Sequence, residues 1–389
     1  MDKKNKNPNV PNLRFSSFAD PFRIYTLKEV LQRISFPVTV DENKLYYQIG
    51  IRSHSKGIFY KEAEIGKQIG NKRIFWIEPN CLILNIVFAW EQAVAKTSEK
   101  EVGMVASHRF PMYKVLNNSL DYIVDFFKTE KGKQLLQMAS PGGAGRNKTL
   151  NQDFFLNSKI YLPSLNEQLK TSELIELIED RIETQSKIID DLLTVKNGIS
   201  NKLFKLQQIE LSNHYLFEYL IEGDKTAVDT SCYKKITVKL NNQGLAFSEL
   251  NREMADTRPF YVRHKGELII GKQNYFNGSI AIVTEQFDNC ICSNAIMSFK
   301  IKGIYSDFLY YQISNNNYLN SQSYKANGTG QKELSEKEFL NFKIWCPQVE
   351  VQQKIVSCFK SLDLKIENEK AILNSYFQEK SYLLNNMFI

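Results

Sequence analysis

The sequence lacks two features that define large classes of protein, a long apolar run and a set of clustered cysteines. Its longest apolar run, 81–90, is interrupted by Asn85 and is much shorter than the roughly 18 residues that span a bilayer. Residues 1–8 are rich in Lys and Asn and no apolar stretch follows them, so no export signal is predicted. We therefore expect a cytoplasmic protein.

Motifs for metal and phosphate binding are missing as well. The six cysteines are scattered without a C-x-x-C pair, and the four histidines lie far apart, so no metal site is expected. The segment 141–149 is similar to a phosphate-binding loop, but Asn147 stands where such a loop needs glycine before Lys148. The related segment 327–332 departs from the pattern too. Both segments are predicted to be turns that lead into a strand.

Positive charge is concentrated in the first part of the chain. The net charge of the 389 residues is +7, yet residues 1–163 alone carry 24 Lys and Arg against 15 Asp and Glu. Such an excess suits a polyanionic partner, although a basic surface also occurs on proteins that bind none.

The strongest positive signal is a repeat at a spacing of about 184 residues. A repeat of this length indicates two tandem domains, not a solenoid. Two similar domains in one chain suit a two-part target or two copies of one partner. The matching pairs include Leu150 with Leu334, Phe155 with Phe339, Ile160 with Ile344, Pro163 with Pro347, Gln168 with Gln352, Lys196 with Lys380 and Phe204 with Phe388.

Each repeat has a strand-rich front and a helical back. Short apolar runs separated by Gly, Asn and Pro predict strands in both fronts, and the fronts match each other more weakly at an offset of 186 to 187. A helix is predicted over 120–138 and another near 307–321. The predicted domains are 1–165 and 207–349, followed by long helices over 166–206 and 350–389.

Both helical backs carry a 3-4 apolar spacing over about 30 residues, which is typical of a coiled-coil seam and exceeds the roughly 11 or 12 residues of an average helix. The alternative is two ordinary amphipathic helices that cover separate cores. An antiparallel pair of such helices would form a rigid spacer between two domains. The predicted seam comprises Ile175, Ile178, Ile182, Gln185, Ile189, Leu192, Lys196, Ile199, Leu203, Phe359, Leu362, Ile366, Glu369, Leu373, Tyr376, Lys380, Leu383 and Met387.

The order of these features resembles the specificity subunit of type I restriction-modification systems over essentially the whole chain. The resemblance rests on the opening segment 10–15 with Phe18, on the helix endings 203–204 and 387–388, and on the two junctions between domain and helix. The junction residues are 145–146, Leu150, 153–155, Ile160, Pro163 and 167–168, mirrored by 328–334, 338–340, Ile344, Pro347 and 352–353.

The resemblance implies an α+β fold, with two pseudo-symmetric target-recognition domains separated by an antiparallel coiled coil. Each domain would read one half of a split DNA target. The implied partners are two modification subunits that carry the adenine methyltransferase site, and restriction subunits. S-adenosylmethionine, ATP and Mg²⁺ are then expected on those partners and none on this chain.

Two departures from the family pattern stand out. A tryptophan that is common near the start of each recognition domain is replaced by Phe22 or Phe217 in that neighbourhood. The second junction reads Val351-Gln352 where Glu-Gln is usual, so one polar contact is expected to be lost there.

Catalytic motifs are absent from the sequence. A methyltransferase needs a glycine-rich cofactor loop and an Asn-Pro-Pro-aromatic site, and neither occurs. The triplet 363–365 contains an acid and a lysine, but its place on the coiled-coil helix predicts a solvated face. A non-catalytic subunit is therefore predicted.

Reading of bases needs Arg or Lys for guanine and Asn or Gln for adenine, with basic residues for phosphates. Residues of these types near predicted strand ends are the candidates for DNA binding, and for each one a solvated surface position is the competing interpretation. Lys272, Gln273 and Asn274 form the best single candidate. The full set is Arg52, His54, Lys56, Lys72, Arg73, His108, Arg109 and Arg146 in the first domain, and Lys239, Asn241, Asn242, Gln243, Arg258, Tyr261, Arg263, Lys272, Gln273 and Asn274 in the second.

Two other functions stay open from the sequence. The chain could be a coiled-coil interaction scaffold without sequence-specific DNA recognition, or a self-contained modification enzyme. A search for a two-part DNA site tests the first, and methyl transfer by the isolated chain tests the second.

Overall fold

The computed structural model describes residues 9–142, 148–205, 209, 212–248, 258–322 and 333–389. Its two longest elements are the first long helix, Leu165–Leu203, and the second long helix, Val349–Met387. The chain divides into a first unit, 1–186 with 371–389, and a second unit, 187–370. Each unit therefore contains one strand-rich domain and a part of both long helices. The domain boundaries drawn from the sequence stay a prediction.

A four-stranded antiparallel sheet forms the centre of the first unit. Its strand order is Leu31–Ile34, Met112–Val115, Leu82–Leu84 and Val94–Lys96. Alternate side chains of these strands pack on helices over one face and on a smaller apolar core over the other. The remaining strands are Arg23–Thr26, Leu45–Tyr46, Ile49–Ile51, Ile58–Tyr60, Glu64–Ile65, Ile74–Trp76, Val105–Ser107 and Lys159–Leu162, and the α-helices are Leu27–Val30, Gly66–Ile69, Leu120–Lys128, Glu130–Met138 and Gln152–Asn157.

The second unit repeats this plan with a sheet of the same order. Its strands are Leu220–Glu222, Ile296–Ile301, Leu268–Gly271 and Ile280–Ile282. This sheet also separates a larger core from a smaller one. The remaining strands are His214–Tyr215, Ile236–Val238, Leu245–Phe247, Phe260–Arg263, Cys290–Ser293 and Lys343–Ile344, and the shorter α-helices are Leu216–Tyr219, Ser306–Ile313, Asn316–Gln322 and Glu336–Leu340.

The helices predicted over 120–138 and near 307–321 are each broken in two. In the first unit the break is at Thr129, whose extended backbone ends one helix while its hydroxyl accepts from the Gly132 amide at 3.1 Å. In the second unit the break is at 314–315, where the Asn315 carboxamide accepts from the Tyr318 amide at 3.1 Å. Both breaks place a capping side chain in the middle of an apolar pattern, which periodicity alone does not reveal.

The predicted seam is buried in both units. All eighteen predicted seam residues are buried or half-buried, although each long helix also carries exposed apolar residues elsewhere. In the first unit Ile175 and Ile178 share a core with Leu383 and Met387. In the second unit Phe204 stacks on Phe359, with ring centres 6.1 Å apart. Each unit pairs the start of one helix with the end of the other, so the predicted α+β class and antiparallel coiled coil are confirmed.

Both lysines of the seam form ion pairs with acids that the predicted seam did not include. Lys380 lies 2.6 Å from Glu179 in the first unit, and Lys196 pairs with Asp363 in the second. Asp363 also accepts a hydrogen bond from the Tyr311 hydroxyl at 2.8 Å. The solvated face predicted for 363–365 is therefore confirmed for Leu364 and Lys365, which are exposed, whereas Asp363 is half-buried between Lys196 and Tyr311.

The two junctions use the same glutamine contacts. The Gln168 side chain donates to the Pro163 carbonyl at 3.0 Å, and the Gln352 side chain donates to the Pro347 carbonyl at 2.7 Å. Beside Gln168, Glu167 forms a two-pronged ion pair with Arg14, with both N–O distances 2.7 Å. Val351 occupies the matching position in the second junction and has no carboxylate, so the expected loss of one polar contact is confirmed.

Candidate nucleic-acid interface

Two six-residue loops with the same backbone stand out on the strand-rich parts of the units. The first docked loop, 52–57, joins strands Ile49–Ile51 and Ile58–Tyr60, and the second docked loop, 239–244, joins Ile236–Val238 and Leu245–Phe247. Each loop is closed by one backbone hydrogen bond, from Arg52 to Gly57 at 3.0 Å or from Lys239 to Gly244 at 2.9 Å.

Each docked loop contains two consecutive residues in the left-handed region, where His and Asn are more common than most side chains. Their φ angles are 59° and 55° at His54 and Ser55, and 56° and 57° at Asn241 and Asn242. This conformation directs both amides of the pair toward a neighbouring turn. The exposed side chains of the two loops are Arg52, His54 and Lys56 in the first, and Lys239, Leu240, Asn241 and Gln243 in the second.

The neighbouring turns, which we call the first tight turn (88–92) and the second tight turn (274–278), also match. In the first unit the His54 and Ser55 amides donate to the carbonyls of Glu91 and Gln92 at 2.6 and 2.9 Å. In the second unit the Asn241 and Asn242 amides donate to the Asn277 and Gly278 carbonyls at 2.8 and 2.9 Å. The loops therefore occupy equivalent positions on equivalent turns.

The first residues of the two turns have the same conformation but different side chains. Phe88 has φ −123° and ψ 16°, and Asn274 has φ −124° and ψ 14°. Each begins a short 3-10 helix, Ala89–Glu91 or Tyr275–Asn277. The backbone therefore presents an apolar ring in one unit where it presents an amide in the other.

The end of a two-stranded ribbon completes each site. In the first unit the His108 amide donates to the Arg73 carbonyl at 3.2 Å, and the Ile86 amide donates to the Arg109 carbonyl at 3.0 Å. The second unit makes the same two bonds, from Asn294 to Pro259 at 3.1 Å and from Lys272 to Ala295 at 3.0 Å. We define the first surface as 52–57, 72–73, 86–92 and 108–109, and the second surface as 239–244, 258–259, 272–278 and 294–295.

The structure brings together every described candidate of the first domain. All of them are exposed and lie on the first surface. Arg146 lies outside the described residues. The candidates on the first surface are Arg52, His54, Lys56, Lys72, Arg73, His108 and Arg109.

The second surface gathers eight of the ten candidates of the second domain. Lys272 is half-buried, and its ammonium lies 3.6 Å from the Glu336 carboxylate. Tyr261 lies off this surface on strand Phe260–Arg263 and is also half-buried. The exposed candidates on the surface are Lys239, Asn241, Gln243, Arg258, Gln273 and Asn274.

Arg263 is a candidate that the structure contradicts. Its exposed fraction is 2%, and its guanidinium donates to the Asp224 carbonyl at 2.9 Å and to the Cys292 sulfur at 3.1 Å. Burial raises the pKa of the Cys292 thiol, although the guanidinium of Arg263 acts in the opposite direction. Arg263 therefore supports the strands from inside, and DNA cannot reach it in this structure.

A side-chain amide holds each site to the helix break behind it, but a different residue supplies it in each unit. In the first unit the Gln92 side chain donates to the carbonyls of Phe127 and Thr129 at 3.0 and 3.1 Å. In the second unit Gly278 stands at the position of Gln92, and the Asn242 side chain donates to the Ser314 carbonyl at 3.0 Å. We call this contact the amide tie. Asn242 is a predicted DNA-binding candidate, but its half-buried side chain forms this tie instead.

A charged cleft of about 540 Å³ lies behind the first docked loop. A chain of ion pairs starts in its wall: Asp125 to Lys128 at 2.8 Å, Lys128 to Glu179 at 2.9 Å and Glu179 to Lys380 at 2.6 Å. Burial raises the pKa of Asp125 to about 6 despite the nearby Lys128 ammonium. The chain of ion pairs links the domain of the first unit to its part of the seam.

Two further properties concern the described part of the chain as a whole. No described group of three or more His, Cys, Asp and Glu residues is arranged to hold a metal ion. Among the described helices, none has the length and apolar character needed to cross a membrane.

Comparison with known proteins agrees with this architecture. Residues 200–375 match the family model of the type I restriction modification DNA specificity domain. The specificity subunit of the type I restriction enzyme MjaVIII from Methanocaldococcus jannaschii is 23% identical over 350 residues, which cover 82% of this chain and 80% of that protein.

Solved structures show the same fold at lower identity. A chain from a study of complex assembly and conformational transition of the type I R-M system matches with a TM-score of 0.59 and 15% identity, over 94% of this chain and 97% of that one. The type I restriction-modification S subunit from M. genitalium matches with a TM-score of 0.57 and 14% identity, over 98% and 99% of the two chains.

The duplicated domains and the antiparallel helices give the chain the fold of solved type I restriction-modification specificity subunits. Residues 200–375 match the type I restriction modification DNA specificity domain, and the chain is similar over most of its length to type I specificity subunits.

Proposed function

We propose that this chain selects a two-part DNA sequence for a type I restriction-modification complex, with the first surface contacting one half-site and the second surface contacting the other. The observation that supports this most directly is the repeated construction of the two surfaces. In each surface, backbone amides of the docked loop donate to the tight turn, while cationic and amide side chains are exposed to solvent, where bases and phosphates could contact them.

The net charge of each surface suits this role. The first surface carries five Lys and Arg residues and one acid, and the second carries three Lys and Arg residues and no acid. Cationic side chains contact phosphates without regard to sequence, whereas amide and guanidinium groups discriminate base edges. Both kinds of group are present on each surface, so each surface supports affinity and specificity together.

The partners in this proposal are two modification subunits, which carry the adenine methyltransferase site, and restriction subunits. S-adenosylmethionine, ATP and Mg²⁺ bind to those subunits in this proposal, and this chain contributes no catalytic group. The duplicated architecture supports two equivalent docking positions. A cytoplasmic location follows from the DNA partner.

Sequencing of modified adenines in a host with the complete system tests the proposal. We expect a two-part sequence with a fixed gap, and its loss when this chain is deleted. The triple variant Arg52→Ala, Arg73→Ala, Arg109→Ala should abolish or relax one half-site. The control Lys28→Ala, Lys159→Ala changes two exposed lysines away from the first surface and should leave the sequence unchanged. Modification without any two-part sequence would favour an interaction scaffold and overturn the proposal.

A further inference from the structure

The first and second surfaces have matching backbone conformations and hydrogen bonds, but their side chains differ in a consistent way. At seven matched positions the second surface carries an amide every time, and the first surface carries none. The matched pairs, second surface first, are Asn241 and His54, Asn242 and Ser55, Gln243 and Lys56, Gln273 and Val87, Asn274 and Phe88, Asn277 and Glu91, and Asn294 and His108.

These amides are available at the surface. All except Asn242 are exposed, and Asn242 supplies the amide tie. Asn274 and Asn277 lie within one turn, where the side-chain nitrogen of Asn277 donates to the side-chain oxygen of Asn274 at 3.3 Å. This contact leaves the Asn274 nitrogen free to donate and orients the two side chains together.

The cations are distributed in the opposite way. Arg73 and Arg109 of the first surface are matched by Pro259 and Ala295, which carry no charge. On the second surface the half-buried Lys272 lies 3.6 Å from the Glu336 carboxylate, which partly neutralises its charge. The first surface is therefore rich in guanidinium and ammonium groups, and the second is rich in amides.

This contrast has a direct meaning at the edges of bases. A carboxamide both donates and accepts, which fits the N6 and N7 atoms of adenine, whereas Arg and Lys donate only and fit the O6 and N7 atoms of guanine. We propose that the second surface reads A·T pairs through its amides and that the first surface reads mainly guanine. This inference rests on the proposed function and adds the base composition that each unit selects.

Phe88 and Asn274 give the sharpest local contrast. Phe88 is 42% exposed, although a ring of this size is usually buried when it has only a structural role. An exposed apolar ring suits the methyl group of thymine, and the amide at the same backbone position suits adenine. The bases contacted by the two turns are therefore expected to differ.

The test is sequencing of modified sites from the complete system with single variants of this chain. Asn294→Ala and Asn274→Ala should each relax one A·T position of one half-site, with roughly a tenfold loss of discrimination there. The other half-site should not change. Arg73→Ala should relax a guanine position in the other half-site. Gln286→Ala, which removes an exposed amide outside the second surface, is the matched control and should have no effect.

A second variant separates reading from folding. Asn294→Asp keeps the size of the side chain but removes its donor, and an acidic side chain accepts from the N4 group of cytosine. We expect its preferred base to move from adenine toward cytosine, with an unchanged melting temperature. If Asn294→Ala and Asn274→Ala relax G·C positions, or leave both half-sites intact, the inference is overturned while the proposed function stands. If the natural protein directs modification to no two-part sequence, the proposed function itself fails.

Discussion

Gly278 joins the second docked loop to its turn, and replacement by alanine should loosen that contact. Its φ is +73°, a conformation that costs an L-residue roughly 1–2 kcal/mol. A Cβ at this position would also lie 2.9 Å from the Asn242 backbone nitrogen and 3.2 Å from the Asn241 Cα. The third close atom is the Asn242 side-chain oxygen, also at 2.9 Å. Because the other two are backbone atoms of the docked loop, relief of this crowding must move the loop, at a further cost of about 1–3 kcal/mol.

Gly244 provides the matched control within the same loop. Its φ is +76°, but a Cβ there would meet nothing within 4 Å. Gly244→Ala should therefore carry only the conformational cost, and Gly278→Ala should carry that cost plus the crowding. The extra cost of about 1–3 kcal/mol corresponds to roughly a 5- to 150-fold increase in the opening of the docked loop.

Hydrogen exchange at the amides of Asn241 and Asn242 measures this opening, because these amides donate to the turn. We expect faster exchange at both amides in Gly278→Ala than in Gly244→Ala. The amides of His54 and Ser55 in the first unit serve as an internal reference and should not change. Equal exchange in the two variants would refute the reasoning from backbone crowding.

Three further predictions concern buried charges. Because the folded state raises the pKa of Asp125 from 3.8 to about 6, its contribution to stability is greatest at low pH and falls by about 3 kcal/mol as pH rises from about 4 to about 6. Asp125→Asn should remove this dependence, and a constant difference in unfolding free energy between the two proteins from pH 4 to 7 would count against it. Glu179→Gln should cost the first unit about 1–2 kcal/mol, because Lys380 loses its carboxylate and Lys128 keeps only Asp125; native-state hydrogen exchange in that unit measures the loss, and Glu173→Gln, at an exposed helix position, is the control. Arg263→Ala should lower the melting temperature yet leave the preferred bases unchanged, since its guanidinium is inside the protein; altered base preference at an unchanged melting temperature would contradict the buried assignment.

The sequence was most informative where one periodicity extended over many residues. The seam could be predicted because about thirty residues repeat a single 3-4 spacing, and the structure buries or half-buries each predicted position. The breaks at Thr129 and 314–315 could not, because one capping side chain overrides an apolar pattern that continues on both sides of it.

The candidate site was predicted by residue type and only partly by position. Arg263 is a candidate by residue type, because cations read guanine. Its matched position in the front repeat is the apolar Ile77, which predicts a buried position, and the structure buries both residues. Phe88 is not among the predicted candidates, because an apolar side chain makes no hydrogen bond to a base edge. The role proposed for Phe88 rests on the backbone conformation that it shares with Asn274, which the sequence does not reveal.

The amide tie limits how these domains can be recombined. In the first unit the amide tie is made by Gln92, which belongs to the tight turn. In the second unit it is made by Asn242, which belongs to the docked loop. A chimera that receives only the loop of the second half would contain both amides, and one that receives only the loop of the first half would contain neither. An exchange of base preference between the two units therefore requires that the docked loop and the tight turn be transplanted together.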